Sequence, residues 1–176
     1  MQFDFNQTYF SLFGIEPRFA LNTPELDRRY RELQAQWHPD RYASEDDSAR
    51  RLSLQASTFV NEGWQTLKSP LARGRYLLRL NGVDTQEDTN TAMPMDFLMQ
   101  QMEWREAIAS ARASRHLDQL ERLNSELREE IAALEGLLGG QLDAAQWDAA
   151  STSVRKLRFL EKLDQEIGDA IEAVMF

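Results

Sequence analysis

The sequence predicts an all-α protein: an N-terminal part built around a helical hairpin, followed by a C-terminal three-helix antiparallel bundle. Apolar residues recur at helical spacings along the whole chain, and no run of strict alternation is long enough to argue for a sheet. Proline, glycine and short polar stretches punctuate those periodic segments where helices would begin or end. A stretch rich in Asp, Glu, Thr and Gln, Val83 to Thr91, separates short helices from longer ones. The expected domains are therefore 1–82 and 94–176, with 83–93 as a linker.

A short first helix, about Tyr9 to Phe13, stops at Gly14 and Pro17. The second starts at Thr23-Pro24, read as an N-cap hydroxyl followed by proline at the first helical position. Its Leu26, Tyr30, Leu33 and Trp37 form one stripe, Arg28, Arg29 and Arg31 point elsewhere, and Pro39 ends it. A polar loop, Ala43 to Ser48, leads to a third helix with Leu52, Ala56, Phe59, Val60, Gly63, Trp64 and Leu67 on one face. Ser69-Pro70 restarts the chain as a short helix to Leu80, closed by Asn81-Gly82.

Beyond Met93 three longer helices are expected, about 94 to 112, 114 to 138 and 144 to 175, with Gly136, Gly139 and Gly140 separating the last two. Leu117, Leu120, Leu127, Ile131, Leu134 and Leu138 make one seam, and Leu157, Leu160, Ile167, Ile171 and Val174 make another. Tyr9, Trp37, Trp64, Tyr76 and Trp147 read as core anchors.

Composition narrows the function. A 42% hydrophobic share in 176 residues is enough for globular cores, so disorder is a poor description of the chain. The formal charge of -9 opposes nonspecific binding to nucleic acid or to an anionic membrane. The absence of Cys removes disulfides, thiol catalysis and thiolate metal sites. His38 and His116 lie too far apart for helical ligand spacing, so no metal site is expected. Met1 to Thr8 contains Asp4 but no Lys or Arg, unlike a secretory or transit segment, and no apolar run could span a bilayer. No phosphate-cradling glycine loop is present, and no bound cofactor is expected. The simplest reading is a soluble intracellular, cytoplasmic protein.

His38-Pro39-Asp40 falls at the turn between two amphipathic helices, where proline stiffens the backbone and two polar tips face solvent. The bland alternative is a helix stop with incidental polar residues. The flanking LDRRYRELQAQWHPDR (Leu26 to Arg41) and NEGWQTLKSPLARGRY (Asn61 to Tyr76) resemble the J-domain family over the whole first half of the chain. The resemblance implies that His38, Pro39 and Asp40 dock on a DnaK-type chaperone and stimulate its ATP hydrolysis. By position Arg28, Arg29 and Arg31 form the accompanying basic face, and Arg41 stands where many relatives have Lys. An Asp on a rigid loop can pair with a partner's arginine, while exposed Arg side chains steer the encounter.

The helix from 94 to 112 is apolar on two sides. At about 100° per residue, Phe97, Trp104 and Ile108 lie on one face and Met95, Leu98, Met99 and Met102 nearly opposite, edged by Glu103 and Glu106. One face must pack inside, and the other meets the N-terminal part or another protein. Methionine suits a partner surface, although it is also a common core filler. Phe159 lies off the main stripe of the last helix. DFLMQQMEWRE (Asp96 to Glu106) and WDAASTSVRKLRFLEKL (Trp147 to Leu163) resemble the second domain of the HscB family, J-proteins of iron-sulfur cluster assembly. That resemblance implies that the chain hands the scaffold protein IscU to the chaperone HscA. It also implies a scaffold-binding surface at Leu98, Met99, Met102, Glu103, Glu106 and Phe159. Ser110 and Met102 depart from residues found in relatives, and no cysteine-rich extension is present, as in the compact bacterial form. The rival readings are a general J-protein holding unfolded clients and an enzyme. The enzyme reading lacks a pocket and a nucleophile for either His38 with Asp40 or Glu103 with Glu106.

Overall fold

The computed structural model describes residues 2–90 and 92–176. Met1 and Thr91, which end the leader and linker readings, lie outside the described residues. All regular structure among the described residues is helical, and the chain divides into two compact units, Met1–Leu77 and Leu78–Phe176.

In the first unit, α1 (Tyr9–Leu12), α2 (Thr23–Trp37) and α3 (Asp47–Lys68) precede α4 (Pro70–Leu80), which runs across the division. The N-cap of α2 is Asn22, not Thr23: its side-chain oxygen accepts the Glu25 N–H at 3.1 Å. Pro24 therefore sits second in the helix, where its missing N–H is still one the helix cannot use. Asp46 caps α3 through the Ala49 N–H, so helix begins inside the stretch read as loop.

The pairings between α2 and α3 run in opposite directions along the two helices and define an antiparallel hairpin. Trp64 Nε1 donates to Asp27 at 2.8 Å, Tyr30 stacks on Trp64 at 4.4 Å, and Gln34 Nε2 donates to Asn61 at 2.6 Å. Beneath them Phe10, Phe13, Leu26, Val60 and Leu67 are fully buried. Gly63 lets α1 come close, since a Cβ there would lie 2.8 Å from the Tyr9 ring. Of the expected aromatic anchors Trp37 is buried, while Tyr9, Trp64, Tyr76 and Trp147 are half-buried.

In the second unit α5 (Met95–Ala113), α6 (Leu117–Asp143) and α7 (Trp147–Met175) form the bundle; α6 and α7 pair extensively and α5 packs on both. The core is Phe97, Trp104, Ile108, Leu120, Leu127, Leu160, Leu163 and Ile167. Gln101 occupies the same line of α5, buried, and its Nε2 has no hydrogen-bond partner among the described residues.

The glycines at 136, 139 and 140 do not separate α6 from α7; the helix continues through them to Asp143. Each glycine costs about 1 kcal/mol relative to alanine in a helix. Burial of Leu138 between those glycines and of Leu142 beyond them offsets that cost. The chain turns instead at Arg115 and Ala145, with φ of 53° and 55°. At each the next N–H reaches back to the helix: His116 N–H donates to the Ala111 carbonyl, and Gln146 N–H to the Gln141 carbonyl. Gly14 and Gly82, with φ of 61° and 75°, end α1 and α4 by the same arrangement.

The stretch read as a linker is tied down. Arg155 of α7 donates to the Thr85 carbonyl at 3.0 Å, Arg158 pairs with Asp88 at 2.8 Å, and Thr85 is buried. Two arginines nearly one turn apart on α7 supply the donors that hold an otherwise polar segment.

Candidate partner-binding surfaces

The His-Pro-Asp segment is a folded turn. Trp37, buried at the end of α2, roots it, and Pro39 opens a 3-10 turn, Pro39–Tyr42. His38 Nδ1 accepts the Asp40 N–H at 3.2 Å, and the His38 carbonyl accepts the Arg41 N–H at 3.0 Å. Two side chains then close the end of α2. Arg41 Nη1 donates to the Ala35 carbonyl at 3.2 Å and Tyr42 Oη to the Gln36 carbonyl at 3.0 Å. These carbonyls are among the last of the helix, which have no partner inside it. The backbone is thus held on several sides, while the His38 and Asp40 side chains remain 54% and 94% exposed.

The basic residues of α2 are not alike. Arg28 is exposed and pairs with Glu32 at 2.8 Å, and Arg31 is exposed. Arg29 instead points back across the fold: Nη1 donates to the Phe13 carbonyl at 2.8 Å, and its guanidinium pairs with Glu25. It fastens the end of α1, and Gly14 leaves room for it, since a Cβ there would lie 2.5 Å from Nη1. Periodicity placed Arg29 off the apolar stripe correctly but carried no information about that carbonyl.

On α5, Met95, Met99 and Met102 are exposed at 71%, 57% and 68%, Glu103 and Glu106 are exposed beside them, and Leu98 is half-buried at the edge. At about 100° per residue the three methionines span about 60° of the helix. Phe159 of α7 is different. It is half-buried, packs on the bundle core and meets the Phe97 ring edge-on at 6.4 Å. It is therefore partly a core residue, contrary to a purely surface role. Its contact with Phe97 joins it to α5 beside Leu98 in sequence.

Glu103 also borders a shallow groove between α5 and α6, lined by Gln100, Trp104, Glu126 and Glu130. Burial pushes the Glu130 carboxyl up; a hydrogen bond from Trp104 opposes this, and the neighbouring Glu126 charge adds to it. Gln100 Nε2 donates to Glu130 at 3.0 Å. The groove was not legible in the sequence, because Glu130 and Glu126 look like solvated helix residues until α5 is laid beside them. No group of His, Asp and Glu among the described residues is arranged to hold a metal ion, and no helix among them is long and apolar enough to cross a membrane.

A family model described as the HSCB C-terminal oligomerisation domain matches residues 93–168. The chain is 58% identical over 176 residues to the co-chaperone HscB homolog of Chromobacterium violaceum, covering 99% of each. It superposes on the chaperone HscB from Vibrio cholerae with a TM-score of 0.87 at 32% identity, over 96% of this chain and 99% of that one. For the human co-chaperone HscB the TM-score is 0.88 at 28% identity, over 94% of this chain and 82% of the other. Near-complete coverage of both sequences, with the same helical fold, means that the chain belongs to the HscB family of co-chaperones.

Proposed function

We propose that this co-chaperone binds the iron-sulfur scaffold protein IscU on the α5 face and presents it to the DnaK-type chaperone HscA. The His38-Pro39-Asp40 turn stimulates ATP hydrolysis by that chaperone. The observation that carries the reading is the turn: a backbone tied to the end of α2 by Arg41 and Tyr42, holding out an imidazole and a carboxylate that nothing buries. Asp40 accepts a charge-assisted hydrogen bond from a cationic partner side chain. Arg28, Arg31 and Arg41 steer the encounter, while Arg29 supports the fold. The methionine face and Leu98 supply apolar area to the client, and Glu103 and Glu106 frame it. The iron-sulfur cluster is cargo of the scaffold, and ATP belongs to the chaperone.

Steady-state ATP hydrolysis by HscA, with this protein and IscU alone and together, tests the reading. Wild type gives synergy. Asp40→Asn removes stimulation with the fold intact, and Leu98→Ala removes the part that depends on IscU. Stimulation that needs Asp40 but ignores both IscU and Leu98 would identify a general J-protein with another client.

A further inference from the structure

The segment ahead of α1 carries two phenylalanines, Phe3 and Phe5, outside any helix. Their rings stand 4.7 Å apart. Phe3 lies 5.2 Å from Trp37 in a T-shaped contact and 5.6 Å from Phe59, and Phe5 lies 5.8 Å from Phe59. The segment thus bridges the end of α2 to the middle of α3 through rings. Its backbone is irregular, with a local hydrogen bond from the Asn6 N–H to Asp4.

Trp37 is the residue before His38, and the Tyr42 ring lies parallel to it at 6.2 Å and 11°. Tyr42 also closes the end of α2 by donating to Gln36. A continuous set of ring contacts therefore runs from Phe5 through Phe59, Phe3 and Trp37 to Tyr42, with the His-Pro-Asp turn between the last two.

We infer that Phe3 and Phe5 form an aromatic strap that positions the His38-Pro39-Asp40 turn for the chaperone. Neither ring touches the partner. By holding Trp37, and through it Tyr42, the strap raises the fraction of time the turn spends in its binding-competent shape. A loss of that fraction weakens apparent affinity in proportion and leaves the bound complex unchanged. The inference rests on the proposed role of the turn.

The test uses the full chain and chaperone ATP hydrolysis titrated with wild type, Phe3→Ala, Phe3→Tyr and Asp40→Asn. Phe3→Ala raises the half-saturating concentration about three- to tenfold at an unchanged plateau, from the cost of ordering one or two side chains. Its Arg41 amide exchanges faster while the Ala56 and Val60 amides of α3 keep wild-type protection. Phe3→Tyr, which keeps the ring, restores both readouts. If Asp40→Asn abolishes stimulation but Phe3→Ala titrates as wild type, the strap is overturned and the role of the turn stands. If α3 loses protection together with Arg41, Phe3 is a stability residue and the inference fails. Stimulation that survives Asp40→Asn overturns the role of the turn, and the strap with it.

Discussion

The His-Pro-Asp turn and the α5 face both present side chains to solvent, yet they are prepared in opposite ways. The turn is short and polar, and its backbone is fixed by Arg41, Tyr42, Pro39 and the His38 imidazole. The α5 face is long and apolar, and its exposed methionines lie on a regular helix. A polar contact depends on angle and distance, so the groups that make it gain from being fixed in advance. An apolar contact is nearly non-directional, and flexible thioether side chains can adapt to whatever surface arrives. Rigidity is spent where direction matters and withheld where it does not.

The largest expected effect lies on the side of α5 that faces inward. Trp104→Ala deletes a buried ring between α5 and α6 and is expected to destabilise the second unit by about 3–5 kcal/mol in chemical denaturation. If the two surfaces are prepared independently, the amide signals of the turn stay in place while those of α5 to α7 shift or broaden. A turn that melts together with the bundle would contradict independent preparation.

A smaller effect separates surface from core within the set proposed to face the client. Met99→Ala is expected to weaken client binding by about 1–3 kcal/mol, measured by calorimetric titration, with no change in melting temperature, because Met99 is 57% exposed. Phe159→Ala should lower both, since its ring also packs on Phe97 and the bundle core. Equal melting temperatures for the two variants would mean that Phe159 contributes no packing.

Much of this was legible in the sequence, and the misses share a physical cause. Helix count, the apolar stripes and the two glycine-terminated ends at Gly14 and Gly82 follow from local signals, because periodicity and positive φ are properties of the chain itself. The end of α6 was misplaced because three glycines resemble a break, whereas the helix runs to Asp143 and the chain turns at Ala145, where a non-glycine residue adopts positive φ at a cost of about 1–2 kcal/mol. Only tertiary packing, through Leu138 and Leu142, decides between those positions. The surfaces divide in the same way. His38, Asp40 and the methionine face follow from turn chemistry and helical angle. The inward use of Arg29, the docking of Thr85 and Asp88 on α7, and the core share of Phe159 depend on partners distant in sequence.

The carboxylates repeat the contrast and supply the smallest expected effect. Asp40 stands almost fully in water, whereas Glu130 is pressed into the α5–α6 groove beside Trp104 and Glu126. Burial raises the Glu130 carboxyl above its ordinary value of 4.5, so the folded bundle holds that proton more tightly than the unfolded chain does. The resulting stability is present in full below the unfolded value and is lost as pH rises through the folded one. Glu130→Gln removes the charge and keeps a carbonyl oxygen to accept from Gln100. Thermal melts should therefore show the variant more stable than wild type at neutral pH, with the gain vanishing in acid below the ordinary carboxylate range. A constant difference between Glu130→Gln and wild type at every pH would assign the effect to packing in the groove rather than to the buried charge.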